Sequence, residues 1–105
     1  MRFVETPVFT ASLRPLLGDD EYRVLQLALL LRPTLGKLIP GSHGLRKLRW
    51  RASGRGKRGG IRTIYYWAAR EHTCFMLYVY AKNDQGDLTT AQLRRLVQLV
   101  HEEFK

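Results

Sequence analysis

The chain has 105 residues, 45% of them hydrophobic and 10% aromatic, which is enough apolar material for one core and too little length for two. Lys and Arg outnumber Asp and Glu by 18 to 9, and the resulting net charge of +9 points to a polyanionic partner: nucleic acid, an acidic protein or an anionic membrane surface. The single cysteine, Cys74, excludes an internal disulfide and a multi-thiolate metal site, and the longest apolar run, from Leu27 to Leu31, is far shorter than the roughly 20 residues that cross a bilayer.

The opening residues, MRFVETPVFT, lack the pattern of a secretory signal, so a cytoplasmic protein with residues 1–105 as one domain is expected. Arg2 to Glu5 reads as a first strand. Thr6 then caps a helix with Pro7 at its first position, predicted to run to about Leu17, where Gly18 ends it. Asp19, Asp20 and Glu21 place negative charge at the positive dipole end of a second helix running to about Leu31. Its apolar surface, with Val24, Leu25, Leu27, Ala28, Leu29, Leu30 and Leu31, is too wide for a single stripe and is expected to be largely buried or covered by a partner.

Residues 33–44 hold two prolines and three glycines and read as a loop. Three runs rich in β-branched and aromatic residues follow, from Leu45 to Arg51, Ile61 to Ala69 and Cys74 to Ala81. They suggest an antiparallel meander with a Gly-rich excursion, SGRGKRGG, between the first two and a short hairpin connection at 70–73. From about Thr89, the spacing of Leu93, Leu96, Val97, Val100 and Phe104 predicts a final helix. The expected fold is α+β: a small antiparallel sheet with two N-terminal helices and one C-terminal helix.

Between Lys37 and Arg70 the chain carries ten basic residues and no acidic one, so neighbours along the chain cannot neutralise this stretch. Side chains alternate across a strand, so Lys47, Arg49 and Arg51 point one way while Leu48 and Trp50 point the other. The same parity lets Arg62 and Lys82 join Lys47 and Arg49 on one face, although sequence alone does not fix which faces coincide. Arg55, Lys57 and Arg58 in the Gly-rich excursion suit contacts to a nucleic-acid backbone, and a minority of Tyr65, Tyr66, Trp67, Tyr78 and Tyr80 suit stacking on unpaired bases.

His43, His72 and His101 lie outside this basic stretch, and Asp84 with Asp87 are expected to cap the last helix. Metal-dependent cleavage is therefore not expected. Lys, Arg and Tyr remain as the chemically useful groups: a lysine crowded by cations loses its proton more readily, and arginine stabilises phosphorane charge while the RNA 2′-hydroxyl attacks its own phosphate.

The segments GLRKLRW (44–50), GRGKRGGIRTIYYW (54–67) and LYVYAKND (77–84), leading into a C-terminal helix, resemble the RelE superfamily of toxin–antitoxin toxins, in particular its HigB-like branch. The resemblance implies a microbial-RNase-like fold. It also implies a ribosome-dependent endonuclease that cleaves mRNA in the A site of the small subunit, without metal or other cofactor, and arrests translation. A cognate antitoxin, HigA-like and DNA-binding, would hold it inactive. Carried over by position, Arg62 matches the strand arginine at the scissile phosphate and Lys82 the basic position after the third strand. Lys47 and Arg49 match the basic strand pair, with Arg46 as the alternative one residue earlier, and Lys57 and Arg58 fall in the loop motif. Asn83 stands where many members carry a second arginine, and the final helix offers no matching tyrosine. The rival reading is a non-catalytic RNA- or ribosome-binding basic module, which needs cations but not cations converging from three strands.

Overall fold

A computed structural model describes residues 1–52 and 60–103. Its elements are β1 (Arg2–Glu5), α1 (Pro7–Leu13), α2 (Asp19–Leu31), β2 (Lys37–Leu38), β3 (Leu45–Trp50), β4 (Ile61–Ala68), β5 (Thr73–Ala81) and α3 (Thr90–Glu103). The five strands form one sheet in the order β1-β5-β4-β3-β2. The three expected strands are its antiparallel centre. The first strand adds a parallel edge, with Arg2 beside Thr73 and Glu5 beside Met76, and the sheet is therefore mixed. A four-residue strand carries no local signal of its direction relative to a partner some 70 positions away, which is why parity alone missed this.

The N-terminal helix is shorter than expected. Thr6 caps it as predicted, accepting a hydrogen bond from Phe9 N at 3.0 Å, but regular helix ends at Leu13. Pro15 supplies no N–H to continue the ladder, and Leu16 N instead reaches back to Leu13 O at 2.8 Å, a tighter turn. The loop at 33–44 contains the two-residue β2, paired with Arg46 and Lys47. Between β4 and β5 a single 3-10 turn, Ala69–Glu71, ends on His72 in the left-handed region (φ 48°).

Helices cover both faces of the sheet. Phe9 and Leu13 of α1, Leu17, and Leu25 and Leu29 of α2 pack on Leu48, Ile61, Tyr65, Cys74, Met76 and Val79. Full burial of side chains of this kind stabilises by about 1.5–3 kcal/mol each. On the opposite face Leu93, Leu96, Val97 and Val100 of α3 meet Leu45, Ile64, Ala68, Phe75 and Leu77. The wide apolar surface of α2 is only partly used: Leu25 and Leu29 are buried, whereas Val24, Leu27, Leu30 and Leu31 remain exposed.

Candidate functional site: a cation row at the open end of the sheet

A β-bulge decides which side chains share a face. Ile64 pairs with Tyr78 and Tyr65 with Met76, leaving Leu77 as the extra residue of β5. Before the bulge, Cys74 and Met76 point to the α1/α2 face; after it, Tyr78 and Tyr80 point to the α3 face. The carbonyl of the bulged residue, Leu77 O, accepts from Thr6 Oγ1 at 2.9 Å, and Thr6 N donates to Met76 O at 3.0 Å. The start of α1 thus pins the irregularity in place.

With the register known, the basic residues can be placed. Arg49 lies opposite Arg62, and Arg62 lies opposite Tyr80, so one row across β3, β4 and β5 reads Arg49, Arg62, Tyr80. Directly opposed residues of antiparallel strands share a face. Lys47 belongs to the next row on that face with Ile64 and Tyr78, and Lys82, two residues beyond Tyr80, follows the same alternation while its N–H donates to Gly60 O at 3.0 Å. The structure therefore brings Lys47, Arg49, Arg62 and Lys82 to the α3 face, on the part of the sheet beyond the start of that helix. Arg49 is exposed, Lys47 and Lys82 are half-buried, and Arg62 is only 7% exposed, with Nη1 donating to Ile61 O at 3.2 Å.

Arg46 is on the other side. Its Nη1 donates to Gly36 O at 2.8 Å and Thr34 O at 3.3 Å, tying the loop before β2 to the sheet. Arg55, Lys57 and Arg58 lie outside the described residues, as does Phe104. Among the aromatic residues, Tyr65 is fully buried on the α1/α2 face, where its hydroxyl donates to Pro33 O at 2.7 Å and accepts from Gly36 N at 2.9 Å. Cys74, buried in the same core, has its thiol pushed up to about 11 by desolvation and is no nucleophile at neutral pH. His43 and His101 border a separate cavity of about 420 Å³ toward the far end of α3.

Tyr80, which the sequence offers only as a stacking candidate, lies in the row itself, and Asp87 joins the site from outside the basic stretch. Tyr80 is 5% exposed; burial and the nearby Asp87 carboxylate push its hydroxyl up to about 12, against the opposing pull of Arg62, so it keeps its proton at neutral pH. Asp87 was expected to cap the last helix with Asp84, and it does not. Thr89 and Gln92 form the capping box of α3, with Gln92 N donating to Thr89 Oγ1 at 3.0 Å and Thr89 N to Gln92 Oε1 at 2.9 Å. Asp87 Oδ1 instead lies 3.1 Å from Lys47 Nζ, an ion pair across 40 positions of chain that no reading of local charge could find. The same oxygen accepts from Leu88 N at 2.8 Å and from the Tyr80 hydroxyl at 3.5 Å, and hydrogen bonding from Lys47 holds this carboxyl below the usual carboxylate range.

A sequence profile for the family described as the RelE toxin of the RelE/RelB toxin–antitoxin system matches residues 41–104, more than half of the chain. The chain belongs to the RelE toxin family. Two solved structures share the RelE fold. A double arginine-to-alanine mutant of E. coli toxin RelE in the free state is 17% identical, with a TM-score of 0.62, over 90% of this chain and 94% of that one. The intact E. coli RelBE toxin–antitoxin complex contains a chain 19% identical, with a TM-score of 0.56, over 74% of this chain and 92% of that one. N-terminal helices, a mixed five-strand sheet and a C-terminal helix are thus the RelE arrangement, and the cation row lies within the portion of chain that the family profile covers.

Proposed function

We propose that this RelE family member belongs to the HigB-like branch and is the toxin of a type II module: a cytoplasmic, ribosome-dependent mRNA endonuclease that cleaves in the A site without a metal ion. Its partners would be the small ribosomal subunit with its mRNA and a cognate antitoxin, HigA-like and DNA-binding. The observation that carries this reading is the row Arg49, Arg62, Tyr80 across three strands, flanked on the same face by Lys47 and Lys82.

In this reading the RNA 2′-oxygen attacks the adjacent phosphorus and the bond from phosphorus to the 5′-oxygen breaks, leaving a 2′,3′-cyclic phosphate and a 5′-hydroxyl. The proton of the 2′-hydroxyl passes to solvent. Arg62, held rigid by burial, and Arg49 bear on the non-bridging oxygens, where charge grows in the transition state. Lys47 and Lys82 seat the flanking phosphates. Tyr80 is the group able to hand a proton to the departing 5′-oxygen, because its hydroxyl stays protonated beside Arg62. The ribosome supplies the in-line geometry that a cation row by itself does not impose.

Primer extension on an mRNA under translation in a purified system tests this. Cuts within codons are expected with the wild-type chain, and Arg62→Ala and the exposed Arg49→Ala should each slow them by on the order of a hundredfold while circular dichroism stays native. No cuts from the wild-type chain would leave the non-catalytic binding module in possession. Cuts at the wild-type rate from both variants would move the active site elsewhere.

A further inference from the structure

The proposed cleavage has no use for a carboxylate, yet one sits among the cations. The turn that follows β5 reads Asp84-Gln85-Gly86-Asp87, and it presents oxygens to two lysines, Lys47 of β3 and Lys82 just after β5. Asp87 Oδ1 takes Lys47 Nζ at 3.1 Å, and Gly86 O takes Lys82 Nζ at 2.6 Å. The turn is braced from within: Asp84 N and Gln85 N donate to Ala81 O, and Gln85 Nε2 bridges Asp87 O at 2.8 Å and Gln92 Oε1 at 2.7 Å. Asp87 also engages the Tyr80 hydroxyl. Three groups assigned above to RNA are therefore already engaged by the protein's own chain, in the manner of an anion seated in the site.

We infer that the 84–87 turn is an intramolecular competitor for the RNA site, with Asp87 the residue that sets how readily RNA displaces it. This rests on the reading of the cation row as an RNA site. The Lys47 side chain is 32% exposed and that of Asp87 68%, so the pair is reached by water and ions, and exposed pairs of this kind are weak and screened by salt. A lone phosphate gains little by displacing Asp87, because it exchanges one anion for another at Lys47. A strand whose phosphates also meet the exposed Arg49 gains that contact in addition. The competitor thus discriminates against short or badly placed anions and favours RNA aligned along the whole row. Displacement also frees the Tyr80 hydroxyl to face the leaving oxygen.

Binding of a short fluorescein-labelled single-stranded RNA to the full chain, followed by anisotropy at low salt, tests the inference in a double-mutant cycle. Asp87→Asn keeps an oxygen for Leu88 N and removes the charge. It should tighten binding by about two- to fivefold, the span expected for an exposed ion pair. Lys47→Ala should weaken binding, and adding Asp87→Asn to Lys47→Ala should recover nothing. Asp19→Asn, the same charge change at the start of α2, should leave binding as it is. If Asp87→Asn fails to tighten binding while Lys47→Ala weakens it, the competitor is refuted and the RNA site stands. A gain that persists without Lys47, or that Asp19→Asn reproduces, is a general charge effect and refutes it too. If Lys47→Ala and Arg62→Ala both bind like the wild-type chain, the RNA site itself is lost.

Discussion

Tyr80 shows how one residue takes opposite properties from its two neighbours. Desolvation and Asp87 disfavour its anion, and Arg62 favours it, with the net result that the proton is held to about pH 12. Because the folded value lies above the usual 10, the corresponding stability is complete below pH 10 and is lost as pH rises from 10 toward 12. A proton donor for a leaving oxygen needs that retention at neutral pH, whereas the buried ring needs only its packing. Tyr80→Phe keeps the ring and forfeits a hydroxyl whose one described bond, to Asp87, is a long 3.5 Å. Thermal unfolding at pH 7 should therefore move little, while single-turnover cleavage on the ribosome falls on the order of a hundredfold. An unchanged rate would remove Tyr80 from the chemistry and leave proton delivery to water.

Among the elements, Thr6 has the largest reach for its size. It caps α1 through Phe9 N and satisfies the carbonyl of the Leu77 bulge, so it fixes both where α1 begins and where β5 changes face. Thr89 caps α3 in a comparable way but touches no bulge. Replacing Thr89 by Ala should cost about 1 kcal/mol, as cap losses do, and Thr6→Ala about 2 kcal/mol, because a carbonyl is left unpaired as well. Urea denaturation measures both, and equal losses would show that the bulge holds without Thr6. The contrast also marks how far the sequence was legible. The Thr6 cap, the acidic first turn of α2 and the alternation in β3 and β4 are local patterns, and each appears in the structure as read. That Lys47, Arg49 and Arg62 share their face depends on strand pairing, and that Tyr80 and Lys82 join them depends on the bulge at Leu77. An extra residue in a run of eight apolar and aromatic positions, Cys74 to Ala81, leaves no mark on the sequence. Asp87 was misassigned for a related reason: an aspartate two residues before a helix cap looks like part of that cap until the neighbouring strand is known to bring Lys47 alongside.

Across the whole molecule, a net charge of +9 draws in any polyanion, and only the distribution of that charge makes the attraction selective. Arg49 and Arg32 separate the two effects. Arg49 stands exposed in the cation row, and Arg32 stands exposed where α2 ends, in the layer covering the other face of the sheet. Removing either lowers the net charge equally. At about 0.1 M salt, screening confines each charge to about 10 Å, so loss of Arg32 is felt only through the weak long-range field. A phosphate held by Arg49 releases condensed counterions when it binds, and for single-stranded RNA each such contact adds about 0.7 to the slope of log affinity against log salt. Arg49→Ala should therefore flatten that slope by about 0.7 and weaken binding most at low salt, while Arg32→Ala leaves the slope as it was. Equal changes from the two variants would mean that RNA reads the total charge of the molecule rather than a row built by three strands.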